Sequence, residues 1–418
     1  MTFQGTKLIK SRLIFALLSV VVLSSFLLPA AGCSAPERDF DACLHEITEP
    51  YHFNLAGWEL QAISSEIGRL FVPREEIADN VTSVFFSNVE RIRRLESEIA
   101  AVKAGRRQGD LAALEDELGK LQSQNAALLE PLERLLETQV REAYSGQGIY
   151  NPLDRYASFK IGFPPLNIHL GTPPHLLVIS PRDRIESMRE IILLPDMSVE
   201  DMEKIEAEID SFGVSSLVVN LGGMATYPSY VTDKADVRFM LNTAAEEWLH
   251  QYLAFTPLGF RYVLDLAGIR RDYDIATMNE AVAGIVSKEI GALVYEQYCA
   301  TGEYDDANRT VESGFDFNKE MREIRKVVDE YLAKGEIEQA EEFMEEKRLY
   351  LAENGYYIRK LNQAYFAFHG AYADSPTSVS PIGVDLRELR KRSTSLREFL
   401  DTVAGMTCLE ELAESLQE

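Results

Sequence analysis

The sequence predicts an α+β protein that is predominantly helical, and three observations predict it. Apolar residues recur at helical spacing through long stretches on both sides of a central segment. Only that central segment carries short leucine- and β-branched runs bounded by proline and glycine. Finally, 46% hydrophobic and 26% charged residues over 418 positions form a globular balance, with apolar material for one large core or two to three smaller ones.

Residues 1–32 read as an export leader: Lys7, Lys10 and Arg12 precede an uncharged apolar run from Leu13 to Leu28, followed by Ala30-Ala31-Gly32 and Cys33. This junction resembles a bacterial lipobox, in which Cys33 is acylated and becomes the new N-terminus. Ala30 stands where leucine is commoner, and Pro29 precedes it. An uncleaved anchor helix is one alternative, because the run to Ala31 approaches the length of a membrane span; plain signal cleavage is another. Each places the body on the extracytoplasmic face of a bacterial cell membrane, held in the first case by its N-terminal lipid.

Residues 33–150 form a helical N-terminal region. The first part, to about residue 55, reads as a tether. From Trp58 to Phe71, Leu60, Ile63, Ile67 and Leu70 fall on one helical face and predict a core-facing helix. From Phe85 to Tyr144, Ile92, Leu95, Ile99 and Val102 continue beyond a polar break to Leu111, Leu114, Leu118, Leu121, Leu128 and Leu129. The break contains Gly105, Gly109 and the capping residue Asp110, so an antiparallel, coiled-coil-like hairpin is expected, acting as a spacer or docking arm. Pro131 should kink or end its second arm.

Residues 151–300 are the α+β core. Leu176–Ile179, Ile191–Leu194 and Ser216–Val219 are its clearest strands, and helical patterns return after Asp236. Residues 301–418 form a helical C-terminal region. Its charge-rich stretch from Lys319 to Arg348 is expected to be mostly a solvated face, with pairs such as Lys319 with Glu323 and Arg325 with Asp329.

The net charge of −25 would repel phosphate backbones, which excludes nucleic acid as a partner, and loss of the leader's three cations makes it more negative. Apart from Cys33, only Cys43, Cys299 and Cys408 are present. Their spacing fits no metal knuckle or disulfide framework, leaving one bridge or free thiols equally open. No nucleophile elbow, phosphate loop or dinucleotide fingerprint appears, so serine hydrolase, nucleotide and flavin chemistries have no support.

The stretch from Asn242 to Ile290 carries the chemistry. On a helix, Glu246 and His250 are one turn apart and share a face, with Glu247 beside them, and a second helix offers Glu280. A zinc peptidase needs three ligands, an open position for water and a nearby carboxylate to take the water's proton. These residues resemble the gluzincin metallopeptidases, of thermolysin-like and aminopeptidase type. Glu247-Trp248-Leu249-His250 is similar to the latter part of their His-Glu-x-x-His helix, and Asn279-Glu280-Ala281-Val282-Ala283 to their later Asn-Glu helix.

The resemblance covers Ser215 to Tyr298 and implies a small sheet packed on the active-site helix, with His250 and Glu280 as metal ligands and Glu247 as general base. It departs from the pattern at Glu246, where the family has its first histidine. Gly284 also stands where thermolysin-like members keep an aspartate. The resemblance implies substrate binding along Gly222, Gly223 and Ala225, the sheet edge before the active-site helix, although an ordinary turn after a buried strand fits those glycines as well. It further implies an oxyanion donor from Tyr365, His369 or Tyr372, with Tyr365 first.

Two carboxylates in place of one would weaken zinc as a Lewis acid and suit manganese or iron better. Alternatively the metal is lost, and the fold survives as a binding or scaffold module. A di-iron carboxylate bundle would need a second Glu-x-x-His, which is absent. His45, His52, His169, His175 and His369 have no paired spacing. The expectation is therefore a lipid-anchored metallopeptidase-like protein that hydrolyses peptide or protein substrates with zinc or another divalent metal. The alternative is an inactive cell-surface binding protein.

Overall fold

The structure is a computed structural model that describes residues 40–69, 80–152, 160–298, 315–370, 375, 377, 378 and 380–417. The leader with Cys33, as well as Leu70, Cys299 and Tyr372, lies outside the described residues. Among the described residues, the chain forms fourteen α-helices and six short strands, the predominantly helical α+β architecture that the sequence predicts. No described helix is long and apolar enough to cross a membrane.

Residues 40–52 are not a tether. Helix α1 (Phe40–Thr48) and a following 3-10 turn lead to a bridge between His52 and Leu193. Phe40, Leu44, Ile47 and Tyr51 join Leu177, Ile179, Met202 and Ile205 in a core, so this short apolar stripe is buried. At the start of helix α2 (Leu55–Arg69), Leu60 is 56% exposed where a core position was expected, whereas Glu59 is 7% exposed. Trp58 stacks on Tyr230 at 4.9 Å, and Glu59 Oε1 accepts a hydrogen bond from the Tyr227 amide at 3.1 Å.

Helices α3 (Val81–Lys103) and α4 (Leu111–Gly146) form the expected hairpin, with Asp110 capping α4 by accepting from Ala113 N at 3.2 Å. Helix α4 continues through Pro131 instead of ending there. The proline removes the hydrogen bond to Ala127, which is exposed, so its carbonyl meets water. Leu128, Leu129, Leu132 and Leu136 hold both sides of the proline in the core. The base of the hairpin is thus structural: Phe85, Leu132, Val140 and Tyr144 sit in the largest core, and Tyr144 donates to Ala245 O at 2.9 Å.

The strands make two sheets. In the first, β2 (His175–Pro181) lies antiparallel between β3 (Arg189–Leu193) and β4 (Val214–Asn220), with Leu177 opposite both Ile191 and Val218. Helix α5 (Val199–Asp210) packs against it. Buried Glu206 of α5 accepts from Val218 N at 2.7 Å and from both terminal nitrogens of Arg359, which fastens the C-terminal region to the sheet. In the second sheet, β6 (Ser229–Thr232) pairs in parallel with β1 (Ile168–Gly171) and antiparallel with the two-residue edge strand β5 (Gly223–Met224).

This second sheet rests on helix α6 (Val237–Leu253), which is capped by Asp236 accepting from Phe239 N at 2.9 Å. Next come α7 (Pro257–Leu266) and α8 (Tyr273–Tyr298). A Cβ on Gly291 would lie 1.9 Å from Asn242 Oδ1, so only glycine lets α6 and α8 approach this closely. Leu241, Ala244, Ala245 and Leu249 of α6 meet Met278, Val282, Ala283 and Val286 of α8 in the core, which also takes in Ile382, Leu386, Phe399 and Leu400. One core therefore includes residues from all three segments, 33–150, 151–300 and 301–418.

Helices α9 (Phe317–Ala333) and α10 (Ile337–Glu353) build a second core over α11 (Gln363–Gly370). The charge-rich stretch is not all solvated. Arg325 is 6% exposed and pairs with Asp329 at 2.9 Å, as expected from their spacing, above the ring of Phe366. Helices α12 (Ile382–Arg392), α13 (Leu396–Val403) and α14 (Leu409–Ser415) complete the chain. Cys43 and Cys408 are free thiols.

Candidate metal centre

A cleft of about 1370 Å³ opens between β3 with residues 52–56 on one side and β5, α6, α7 and α8 on the other. Glu246, Glu247, His250, Glu280, Gly222, Gly223 and Ala225 all line it. The sequence-predicted ligands and base thus share one space with the glycine-rich strand.

Helix α6 delivers Glu246 and His250 from successive turns, and α8 delivers Glu280 from its second turn. One ligating atom from each of the three lies within 4.8 Å of the other two, the one such cluster of metal-ligating side chains among the described residues. His250 Nε2 stands 3.6 Å from Glu280 Oε2. Two ligands on a tetrahedral ion with bonds of about 2.1 Å are separated by about 3.4 Å, so this pair is already at coordination distance. A separation at the 4.8 Å bound would have to close by about 1.4 Å around such an ion. Two carboxylates and an imidazole are a donor set that fits zinc and also harder divalent ions.

The ligands are held by their neighbours. His250 Nδ1 is 2.9 Å from Asn279 Oδ1, and because an amide oxygen only accepts, Nδ1 donates there and Nε2 is the nitrogen that faces Glu280. Glu280 Oε1 accepts a hydrogen bond of 2.6 Å from the hydroxyl of Tyr262, which leaves Oε2 turned toward the histidine.

Glu247 lies on the side of α6 that meets β5. Burial in the cleft floor pushes its carboxyl well above the usual range, and the charges of Glu246 and Glu280 add to the shift. A Cβ on Gly223 would lie 2.4 Å from Thr243 Cγ2 and 2.5 Å from Glu247 Oε1, and one on Gly222 would lie 2.6 Å from Phe239 Cζ. Both glycines therefore permit close approach, in this case of strand to helix, and any side chain at 223 would intrude on Glu247.

Tyr365 is not on the cleft wall. It packs beside Phe366, with its ring centroid 4.3 Å from that of His369, and burial raises its hydroxyl to about 12. Phe368 of the same helix lines the cleft instead, because residues 365 and 369 share a face of α11 that position 368 does not. The aromatic hydroxyl at the centre is Tyr262, on the short helix between the two motif-bearing ones. Nothing in its spacing or neighbours marks it in the sequence. Lys288 is the one lysine or arginine among the described cleft-lining residues, against Glu59, Glu190, Glu246, Glu247 and Glu280.

Compared with protein-family models, curated proteins and solved structures, the chain finds no match.

Proposed function

We propose that the cleft is the active site of a metal-dependent peptidase similar to the gluzincins, exported and held at the extracytoplasmic face of a bacterial membrane by a lipid on Cys33. The observation that carries the reading is the convergence of Glu246, His250 and Glu280 within 4.8 Å, next to a carboxylate aimed at an edge strand. Glu246, His250 and Glu280 would hold the ion. A bound zinc or other divalent ion supplies a Lewis acid that polarises the scissile carbonyl and acidifies the attacking water.

The remaining steps belong to the chain. An extended peptide or protein segment pairs with the free edge of β5 and its continuation to Ala225, which sets its carbonyl over the floor formed by α6. Glu247 takes the proton of the water that attacks the carbonyl carbon, and returns it to the amine as the C–N bond breaks. Its position against Gly223 puts the base directly beneath that edge.

A second reading, a binding or scaffold module without an ion, is favoured by Glu246, which adds a carboxylate where the resembling family has a neutral histidine. Metal analysis of the full chain purified without chelators decides between them. The peptidase reading expects about one ion per chain, peptide hydrolysis abolished by Glu247→Gln, and tighter zinc with faster turnover in Glu246→His. A metal-free protein whose unfolding temperature ignores added zinc would leave only the scaffold.

A further inference from the structure

We propose that Tyr262 is a positioning residue for the centre, using its hydroxyl to hold Glu280 so that a single oxygen, Oε2, is presented to the ion. The inference rests on the metal-centre reading above. It goes beyond it by assigning the orientation of a ligand to a residue that the motif pattern does not contain.

The geometry is specific to one oxygen. The Tyr262 hydroxyl donates to Glu280 Oε1 at 2.6 Å, while Oε2 stands 3.6 Å from His250 Nε2. A phenol hydrogen bond occupies lone-pair density on Oε1 and fixes the carboxylate plane, so the oxygen beside the histidine is the one left to coordinate. The Tyr262 ring also lies over the second ligand, with centroids 6.2 Å apart and planes tilted by 33° to the His250 ring.

The helix that carries Tyr262 is fastened along its length. Thr256 caps α7 through Gly259 N at 3.4 Å, Leu258 N donates to Ala404 O at 3.2 Å, and Arg261 pairs with Asp272 at 2.8 Å. A Cβ on Gly259 would fall 2.0 Å from Leu253 O, so α7 sits directly against the end of α6. The hydroxyl is therefore delivered from a framework tied to the histidine-bearing helix.

This arrangement has a chemical consequence for a centre with two carboxylates. A carboxylate free to rotate can bind through both oxygens and fill a position that water or substrate needs, whereas one held by Oε1 cannot. Tyr262 would thus pre-orient Glu280 for the ion and keep a coordination position open.

The test is Tyr262→Phe in the full chain, which removes one oxygen and keeps the ring. Affinity for zinc and cobalt is measured by competition with a chromophoric chelator, cobalt absorption reports coordination number, and urea unfolding is followed without metal. The expected result is a loss of about tenfold or more in affinity, weaker cobalt bands of higher coordination number, an unchanged metal-free midpoint, and no further loss from Tyr262→Phe in a Glu280→Ala background. A wild-type chain that binds the ions while Tyr262→Phe binds them within about twofold overturns the inference alone. An equal loss in the Glu280→Ala background also overturns it, since the tyrosine would then act through the fold. A wild-type chain that binds neither ion overturns the metal centre and this inference together.

Discussion

Gly223→Ala tests the packing of the edge strand on the helix that carries Glu247, independently of any ion. The added Cβ would lie 2.4 Å from Thr243 Cγ2, 2.5 Å from Glu247 Oε1 and 2.9 Å from Glu247 Cγ. Ordinary carbon contacts fall at about 3.5–4.0 Å, so strand and helix must separate by about 1 Å. Thr243 is buried and cannot turn aside, and only the tip of Glu247 has room to move. Overpacking of this kind costs about 3 kcal/mol at the upper end of its range. Residue 223 does not need a left-handed backbone, so alanine also restricts the unfolded chain, a gain of up to about 1 kcal/mol. The net expectation is a loss of about 2 kcal/mol, read from urea unfolding of the metal-free protein by circular dichroism. In a Thr243→Ala/Glu247→Ala background the same substitution should cost less than about 0.5 kcal/mol, because the overlapping atoms are gone. Equal costs in both backgrounds, or none in the wild type, would refute the argument that Gly223 is required by Glu247 and Thr243.

Arg359→Ala strands Glu206, whose side chain is 3% exposed, with only Lys360 at 3.6 Å as a cation. A loss of about 3 kcal/mol in urea unfolding is expected, and a loss under about 1 kcal/mol would show that the bidentate pair does not secure the C-terminal region to the first sheet. Burial lowers His369 to about 4 from its ordinary 6.5, so the fold favours the neutral ring. Stability from this group is complete above about pH 6.5 and falls as the pH drops toward about 4, by up to roughly 3 kcal/mol. His369→Phe should flatten that part of the stability profile, and an unchanged slope would contradict it. Glu246→Gln relieves repulsion among the three cleft-floor carboxylates, and should raise the unfolding temperature of the metal-free protein while reducing the gain on adding zinc. A gain that is the same with and without zinc would place Glu246 outside the centre.

Much of this was legible in the sequence where residues repeat with a period or carry a motif. The hairpin followed from heptad-like leucines and Asp110, and the strands around Leu177, Ile191 and Val218 from their short leucine- and β-branched runs. The cluster followed from the single-turn spacing of Glu246 and His250 and from the Asn279-Glu280 pair. Three features were not legible, each for a physical reason. Phe40 to Tyr51 is too short a stripe to stand out, yet it completes a core that forms only when β2 and α5 are present. Leu60 points outward because Glu59 finds the Tyr227 amide, a tertiary partner invisible from helical spacing. Tyr262 reaches Glu280 only because α7 folds back against α6, so its role depends on a chain reversal that no local pattern encodes. Tyr365 shows the converse, since an aromatic hydroxyl in a suggestive stretch is carried by its helix into an apolar core.

Glu246 stands where the gluzincin pattern that the sequence resembles has a histidine, and its charge bears on both readings of the cleft. Without a cation, Glu246, Glu247 and Glu280 share a floor in which burial and mutual repulsion already push Glu247 upward. Ionised carboxylates about 5 Å apart near a protein surface repel by about 3 kcal/mol, a cost that a proton on one of them relieves. A scaffold has no use for that cost, and a single amide in place of any one carboxylate would relieve it. An ion held by Glu246, His250 and Glu280 would turn the same arrangement around: two of the carboxylates would become ligands, and the repulsive part of the field on Glu247 would fall, while its burial would still favour the protonated form. The extra glutamate would weaken such an ion as a Lewis acid, but the ion would relieve among three acids the repulsion that a raised Glu247 relieves by holding its proton.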